Sequence, residues 1–280
     1  MRPAAFTYTR PATLADALRA LAAGAVPLAG GQSLVQAMRL RSATPRAVVD
    51  LAGVAELSDA ISISDEVITI GAHVTHAALL EHALVINELP WLHEAAQALG
   101  DVQVRNLGTV LGNVCWADPR ANMAVALLAC DAVVTAVAPS HGELVDRIAL
   151  ADFFTGFRSH ALNGRLATSI ELRRQPGARG HYLEFSRQRQ DLALVNVCVV
   201  RDKRQARVAV GGIDPMPVRL PEVEAAIVSG DRTDIMNALH ENLTRGRHAP
   251  IVDHHGSDEY KLGLAVTLIK RALEAGEAWQ

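Results

Sequence analysis

The first 51 residues alternate apolar strands with amphipathic helices, and this order of elements restricts the fold more than any other feature of the sequence. Short strands are predicted at 26–28 and 47–51. One helix is predicted from the capping residue Thr13 to Gly24, and a second helix follows Ser33. A strand–helix–strand order of this length predicts a small parallel βαβ unit.

The rest of the chain mixes both kinds of element. Further strands are predicted at 67–70, 132–137, 182–185, 194–200 and 206–210, the last two as a hairpin. Further helices are predicted at 75–83, 91–99, 122–130, 221–228, 233–243 and 257–275, with Thr75 and Ser257 as caps. We therefore expect an α+β protein with a domain at 1–176, made of subdomains 1–55 and 56–176, and a carboxyl-terminal domain at 177–280.

Composition excludes several classes of function. The formal net charge is −3 and the charges of both signs are interspersed, so the basic surface of a nucleic-acid-binding protein is missing. No apolar run reaches the roughly 20 residues that a membrane span needs. The amino terminus lacks a signal-peptide pattern, and Cys115, Cys130 and Cys198 form no CxxC pair. These features predict a cytoplasmic protein with reduced thiols.

A pair of glycines follows the first predicted strand, in the segment Ala29-Gly30-Gly31-Gln32-Ser33-Leu34. Glycines allow positive φ and let a ligand approach the backbone amides, which can then converge on a phosphate. Ser33 can cap the following helix or donate to a phosphate oxygen. The segment also fits an ordinary tight turn, and it matches neither the GxGxxG nor the Walker A fingerprint.

A second stretch of the same character is Thr109-Val110-Leu111-Gly112-Asn113. Its small donors and its glycine again suit an anionic ligand, although a plain loop between helices fits as well. Downstream, Asp118 and Asn122 carry groups suited to polyol hydroxyls.

Taken together, these stretches resemble a known family. AGGQSL, IGAHVTH, QVRNLGTVLGN and ADP occur in the order and at the spacing of the FAD-binding medium subunits of molybdenum hydroxylases, the carbon monoxide dehydrogenase and xanthine dehydrogenase family. The resemblance extends from Phe6-Thr7-Tyr8 to Arg271-Ala272-Leu273 and so covers essentially the whole chain.

The resemblance implies a fold and a cofactor site. The fold is a two-part FAD-binding domain of the vanillyl-alcohol-oxidase type, followed by a sheet-and-helix domain. Residues 29–33, together with Leu34, match the loop that holds the FAD pyrophosphate, and residues 109–113 match a second FAD loop. Asp118 matches an acidic residue near the ribityl chain, and Asp191 matches a residue in a carboxyl-domain loop near the flavin ring.

The sequence departs from the family pattern at two positions. Leu111 replaces the first glycine of the usual TIGGN, and a positive φ at this position would strain it. Leu192 stands where some relatives have a tyrosine next to the flavin ring, so aromatic cover of the ring is missing or comes from elsewhere.

The resemblance also implies a role. A large molybdopterin-containing subunit would oxidise the substrate, a small [2Fe-2S] subunit would relay electrons to FAD, and this chain would pass them to an external electron acceptor. The three scattered cysteines agree with this division, because iron–sulfur clusters need closely spaced thiolates. We expect neither a catalytic acid or base nor a metal site in this chain.

Two other functions are compatible with the same fold. A stand-alone FAD-dependent oxidoreductase would need its own substrate site, and a scaffold without flavin would have no use for the two glycine-containing segments.

Some charged groups remain open to interpretation. His254-His255 beside Asp253 suggests a surface loop more than a metal site, and the arginines at 173–174 and 201–207 suit either solvated turns or an acidic partner.

Overall fold

The structure, a computed structural model, describes residues 2–139, 145–188, 190–244, 246–251, 253 and 255–275. The amino-terminal unit contains β1 (Thr7–Thr9), α1 (Leu14–Ala22), β2 (Val26–Leu28), α2 (Leu34–Arg39) and β3 (Ala47–Asp50). Its strands are parallel and lie in the order β1–β3–β2. Thr13 caps α1 by accepting a hydrogen bond from the Asp16 N–H. The predicted βαβ unit and its first cap are confirmed.

An antiparallel five-stranded sheet forms the centre of the next part. Its strands are β4 (Ile61–Ser64), β5 (Val67–Gly71), β6 (Val133–Val137), β7 (Val145–Ala149) and β10 (Leu166–Arg173), and a small hairpin of β8 (Phe154–Gly156) and β9 (Ser159–His160) precedes β10. The spatial order is β4–β5–β10–β6–β7, so the last strand in sequence occupies the middle of the sheet.

Helices fill the connection between β5 and β6. They are α3 (His76–Glu81), α4 (Ala83–Glu88), α5 (Pro90–Ala98), α6 (Val102–Leu107), α7 (Val110–Cys115) and α8 (Asn122–Leu128), and α9 (Leu150–Phe153) follows β7. The side chains of Thr75, Asp101 and Thr109 cap α3, α6 and α7. The predicted single helix at 75–83 is wrong, because the backbone is extended at His82 and divides it into two helices.

The carboxyl-terminal part is a four-stranded antiparallel sheet covered by three helices. The strands are β11 (Arg179–Phe185), β12 (Val195–Arg201), β13 (Ala206–Gly211) and β14 (Val218–Arg219), and the helices are α10 (Pro221–Ser229), α11 (Arg232–Thr244) and α12 (Asp258–Ala275). The Ser257 hydroxyl caps α12 by accepting a hydrogen bond from the Tyr260 N–H at 3.2 Å. The predicted hairpin and cap are therefore both present.

The residues of β12 alternate between two hydrophobic cores. Val197 and Val199 face the core that the sheet shares with the carboxyl-terminal helices. Cys198 and Val200 face the core of the first 172 residues, where they join Tyr182 and Ala209. Because strand side chains point alternately to opposite faces, this one strand holds the two parts together.

The confirmed α+β fold contains no described helix that is both long enough and apolar enough to span a bilayer.

Candidate cofactor site

The segment after β2 provides backbone donors that the protein itself does not use. Gly31 has a φ of +73°, a conformation that glycine adopts without steric cost. Within the described part of the chain, no acceptor receives a hydrogen bond from the N–H groups of residues 31–34. These residues are partly exposed, so a ligand can reach those amides. Free backbone amides at the start of a helix are the kind of donor that a phosphate needs.

Ser33 begins α2 but does not cap it. Its side chain makes no capping hydrogen bond, and its backbone is already helical with φ −105° and ψ −52°. Of the two roles that the sequence allows for Ser33, capping is absent, and donation to a ligand stays a prediction.

Gly30 serves packing between two segments of the protein. A Cβ atom at this position would lie 1.8 Å from the carbonyl oxygen of Leu107 and 2.8 Å from the Cα of Gly108. No side chain fits into such a gap, so the glycine allows the first segment to rest directly on the turn between α6 and α7.

The second segment forms the start of α7. The Thr109 side chain accepts a hydrogen bond from the Gly112 N–H at 3.1 Å and so caps this short helix. Thr109 also forms an antiparallel bridge with Thr75, in which the Val110 N–H donates to the Val74 carbonyl at 2.9 Å. This bridge fixes the segment to the start of α3.

Leu111 is unstrained in this arrangement. It lies within α7, does not have a positive φ, and its side chain is 4 % exposed in the main core. Val110 is also buried, so both residues can offer only their backbones to a ligand. The strain expected at Leu111 is absent because the chain is helical here and does not form a glycine turn.

The two segments are direct neighbours. A Cβ atom added to Gly112 would lie 3.8 Å from the Cβ of Ala29, and one added to Gly108 would lie 3.5 Å from the Cγ of Gln32. Two stretches about 80 residues apart in sequence thus line one place on the surface.

Asp118 follows α7 in the sequence, and its carboxylate is paired with two arginines. Its carboxylate accepts a hydrogen bond from the Arg158 guanidinium at 3.2 Å and from the Arg120 N–H at 3.1 Å. The Nε of Arg120 lies 3.5 Å from the same carboxylate. Asp118 is 1 % exposed. Its clear structural function is therefore to hold these two arginines.

Arg158 sits at the turn of the β8–β9 hairpin. Its guanidinium lies 5.1 Å from the ring centroids of both Trp116 and Phe157. Both Arg158 and Ala117 adopt a φ of +51°, and the Arg158 N–H donates to the Ala117 carbonyl at 3.1 Å. Two non-glycine residues in this uncommon conformation mark a locally constrained backbone beside Asp118.

Asn122 belongs to an internal polar network. Its amide donates to the Ala95 carbonyl at 3.2 Å and to Glu184 at 2.9 Å. The Tyr182 hydroxyl donates to the same Glu184 carboxylate at 2.9 Å and accepts from Asn196 at 3.0 Å. Burial raises the pKa of Glu184, although its hydrogen bonds with Tyr182 and Asn122 oppose this effect. Asn122 therefore stabilises the junction of the two parts.

Asp191 and Leu192 occupy the exposed loop between β11 and β12. The Asp191 N–H donates to the Gln188 carbonyl at 3.0 Å, which closes a turn. Among the described residues, the Asp191 side chain makes no hydrogen bond to either glycine-containing segment. The structure thus brings residues 29–34 and 109–113 together, whereas Asp191 lies on a separate loop.

His76 lies directly behind the junction of the segments. Its N–H donates to the Gly108 carbonyl at 3.0 Å, and a Cβ at Gly108 would lie 3.2 Å from its ring. Burial lowers the pKa of His76 to about 4, and the nearby charge of Arg105 adds to this effect. The ring is therefore neutral at ordinary pH.

The sequence did not predict the roles of Arg120, Arg158, Asp253 or Lys261. Asp253 was assigned to a surface loop, yet it accepts a hydrogen bond from the Lys261 ammonium group at 3.0 Å. His254 lies outside the described residues. The arginines at 173, 174 and 207 form ion pairs with Glu66, Glu88 and Asp131, so internal partners account for them.

Comparison with protein families identifies the family of this chain. Residues 4–172 match the family described as the FAD binding domain in molybdopterin dehydrogenase. The chain belongs to this family. Residues 180–275 match the CO dehydrogenase flavoprotein C-terminal domain. The chain is therefore an FAD-binding medium subunit of the carbon monoxide dehydrogenase and xanthine dehydrogenase type, as the resemblance predicts.

Curated relatives of this flavoprotein cover its full length. The glyceraldehyde dehydrogenase medium chain of Sulfolobus acidocaldarius is 30 % identical over 282 residues, which are 98 % of this chain and 99 % of the relative. Subunit alpha of the 6-hydroxypseudooxynicotine dehydrogenase complex of Paenarthrobacter nicotinovorans is 34 % identical, over 98 % of this chain and 95 % of the relative.

Solved structures show the same fold as this flavoprotein. A chain of the carbon monoxide dehydrogenase from Hydrogenophaga pseudoflava superposes with a TM-score of 0.92 at 27 % identity, covering 100 % of this chain and 99 % of that one. A chain of quinoline 2-oxidoreductase from Pseudomonas putida 86 superposes with a TM-score of 0.89 at 27 % identity, with full coverage of both.

The site itself fits FAD. The N–H groups of residues 31–34 are free to act as donors to an anionic group such as a pyrophosphate, and the second segment adds further backbone close by. FAD is the cofactor of this family of domains, and the geometry of this chain is suited to hold it.

Proposed function

We propose that FAD binds where residues 29–34 meet residues 109–113. The observation that carries this proposal is the direct contact of the two segments, one of which has a row of unused backbone amides. In this arrangement residues 31–34 bind the pyrophosphate, while Thr109, Gly112 and Asn113 line the adjacent part of the cofactor.

Asp118 acts at this site through the arginines. Because its carboxylate already binds Arg120 and Arg158, it can accept a further hydrogen bond from a ribityl hydroxyl only alongside them. Asp191 takes part by way of the exposed β11–β12 loop, which lies at the edge of the carboxyl-terminal sheet. We place the proposed domain division at residues 176 and 177, which are part of the segment between β10 and β11.

The proposed role is electron transfer within a heteromeric molybdenum hydroxylase. FAD, when bound, supplies the redox chemistry. This chain positions the flavin, accepts electrons from a [2Fe-2S] subunit and delivers them to an external acceptor. The supporting observation is that its relatives are named medium chains, medium subunits or subunits of dehydrogenase complexes. A large molybdopterin-containing subunit completes the assembly.

The alternative is a stand-alone FAD-dependent oxidoreductase of the same fold. It requires an acid and a base placed near the flavin. Among the described residues of the site, Asp118 is paired with arginines and His76 is buried behind the backbone, so neither is placed for proton transfer to a substrate. The heteromeric role is therefore favoured.

A spectrum and a reconstitution test the proposal. The purified chain is expected to show flavin absorption, to pass electrons from a chemical reductant to a dye, and to be free of hydroxylase activity. Hydroxylation is expected only after the molybdenum and iron–sulfur subunits are added. Oxidation of an aldehyde or an aromatic heterocycle by the chain alone, with molybdenum and iron shown to be absent, would establish the stand-alone enzyme. A colourless chain that fails to bind added FAD would contradict both.

A further inference from the structure

A chain of alternating charges runs from the cofactor site into the carboxyl-terminal part. Its members, in spatial order, are Arg158, Asp118, Arg120, Asp253 and Lys261. The first three belong to the FAD-binding part, and the last two belong to the carboxyl-terminal part. Arg120 therefore provides one of the ionic contacts between the two, in addition to the pairs of Arg207 and Arg219 with Asp131.

The outer contacts of this chain are closer than the inner ones. Arg158 lies 3.2 Å from Asp118 and Lys261 lies 3.0 Å from Asp253, whereas the Arg120 guanidinium lies 3.5 Å from Asp118 and 3.8 Å from Asp253. The longer contacts are thus those made by Arg120. Of these two contacts, the one between Arg120 and Asp253 crosses the boundary between the two parts.

Asp253 is held as a charged partner for Arg120. Burial would raise the pKa of Asp253, but hydrogen bonds from the His255 backbone and from Lys261 lower it below its ordinary value. Lys261 is 1 % exposed and also donates to the Ile251 carbonyl. A buried cation with two acceptors fixes the Asp253 carboxylate firmly in place.

The backbone of Arg120 makes a second contact across the same boundary. Its carbonyl accepts a hydrogen bond from the Asn196 amide at 3.0 Å, and Asn196 lies in β12. Its Nε is buried and, among the described residues, has no hydrogen-bond partner. The backbone of Arg120 is therefore held by Asp118 through its N–H and by Asn196 through its carbonyl, while its guanidinium makes only long ionic contacts with the two carboxylates.

We propose that Arg120 is a positioning residue that couples the FAD site to the carboxyl-terminal part through Asp118 and Asp253. This inference rests on the proposed binding of FAD beside Asp118. Binding of FAD then stabilises the position of Asp118, Arg120 transmits this constraint to Asp253, and the carboxyl-terminal part is held in one orientation over the cofactor. Asp253 contributes to FAD affinity in this scheme without contacting either glycine-containing segment.

The test is a double-mutant cycle measured on the dissociation constant of FAD. The variants are Asp118→Asn, Asp253→Asn and both together, each in the full chain after removal and stepwise return of FAD. Flavin fluorescence reports binding, and urea unfolding of the FAD-free chain reports stability. We expect Asp253→Asn alone to weaken FAD binding at least threefold, and the double variant to lose less affinity than the product of the single effects.

A second cycle is made in the Arg120→Met background. In this background Asp118 and Asp253 no longer share a guanidinium. The effects of Asp118→Asn and Asp253→Asn on FAD affinity are therefore expected to multiply. The matched control is Glu222→Gln, which breaks the exposed Glu222–Arg247 pair in the carboxyl-terminal part and should leave FAD affinity unchanged.

The outcomes separate three cases. Non-additivity in FAD affinity that disappears in the Arg120→Met background supports the coupling. If Asp253→Asn lowers the unfolding free energy but changes FAD affinity less than twofold, the network only stabilises the fold and the inference is overturned. This measurement on Asp253→Asn alone decides between the two cases even if Asp118→Asn does not fold. If the wild-type chain does not bind FAD at all, the proposed function fails and the coupling fails with it.

Discussion

Gly30 and Leu107 face each other so closely that a Cβ on the glycine would lie 1.8 Å from the leucine carbonyl oxygen. This contact joins the segment after β2 to the turn that precedes α7. The shape of the cofactor site therefore depends on a missing side chain as much as on the groups that can bind a ligand. The two adjacent glycines therefore have different functions. Gly30 is needed for packing, and Gly31 is needed for a positive φ.

Gly30→Ala should force the two segments apart. We expect a loss of at least about 2 kcal/mol in the free energy of unfolding, since a buried clash with backbone cannot relax by side-chain rotation. FAD should be lost as well, as measured by the ratio of flavin to protein absorbance. The control is Gly263→Ala in α12, where a Cβ meets nothing within 4 Å and should leave the flavin content unchanged. Normal flavin content in Gly30→Ala would show that the contact does not shape the site.

Gly31→Ala should weaken FAD binding while the fold survives. Alanine at a φ of +73° costs about 1–2 kcal/mol, and the added Cβ would lie 3.1 Å from the Cγ2 of Val35 in α2, so the segment that carries the free amides must shift. The matched control is Gly24→Ala, which carries a similar strain at a φ of +87° with nothing within 4 Å of the Cβ. We expect similar losses in urea stability but about tenfold weaker FAD binding for Gly31→Ala alone. Equal FAD affinity in the two variants would remove Gly31 from the site.

Asp118→Asn should destabilise the chain, because two arginines lose the negative charge that they share. A loss of about 2 kcal/mol is expected for a carboxylate that is 1 % exposed, together with faster loss of flavin on dilution. Glu66→Gln is the control, since the Glu66–Arg173 pair is largely exposed and should contribute less than about 0.5 kcal/mol. Unchanged flavin retention in Asp118→Asn would exclude the carboxylate from FAD binding.

His76 should make stability depend on pH in the acidic range. Its pKa is lowered from 6.5 to about 4 in the folded state, so the unfolded chain binds more protons between these values. The wild-type protein should therefore lose stability as the pH falls from 6.5 to 4, by roughly 3 kcal/mol relative to His76→Gln. Urea unfolding at a series of pH values measures this difference. Parallel curves for the two proteins would show that the imidazole is not held neutral.

The sequence predicts well those elements that have local signals. The caps at Thr13, Thr75 and Ser257 are all present, because a side-chain oxygen three residues before a backbone N–H is a local arrangement. The hairpin of β12 and β13 was found for the same reason, since a polar turn separates two apolar runs. Strands β4, β7 and β10 were not predicted. Their polar residues obscure the apolar pattern, and long-range pairing defines them.

The sequence points to part of the candidate site for a physical reason. The two glycine-containing segments stand out because glycine and small polar residues are easily recognised in a sequence. The roles of Arg158 and Lys261 could not be found, because they depend on partners 40 and 8 residues away that the fold brings close. The condition under which Leu111 would be strained, a positive φ, is not met because residues 110–115 are helical, and its side chain packs well in a helix.

The central position of β10 has a consequence for the folding of the chain during translation. Its partners on either side, β5 and β6, are synthesised earlier, yet neither pairs with the other. Until the ribosome has released Arg173, β10 cannot pair with β5 and β6. The β4–β5 hairpin and the β6–β7 pair then lack their common neighbour, so the edges of β5 and β6 are unpaired. Open strand edges invite pairing with other chains. A pause in translation before this point would thus prolong exposure to aggregation, whereas after it β10 can join the two pairs, which leaves β4 and β7 as the edges of this sheet.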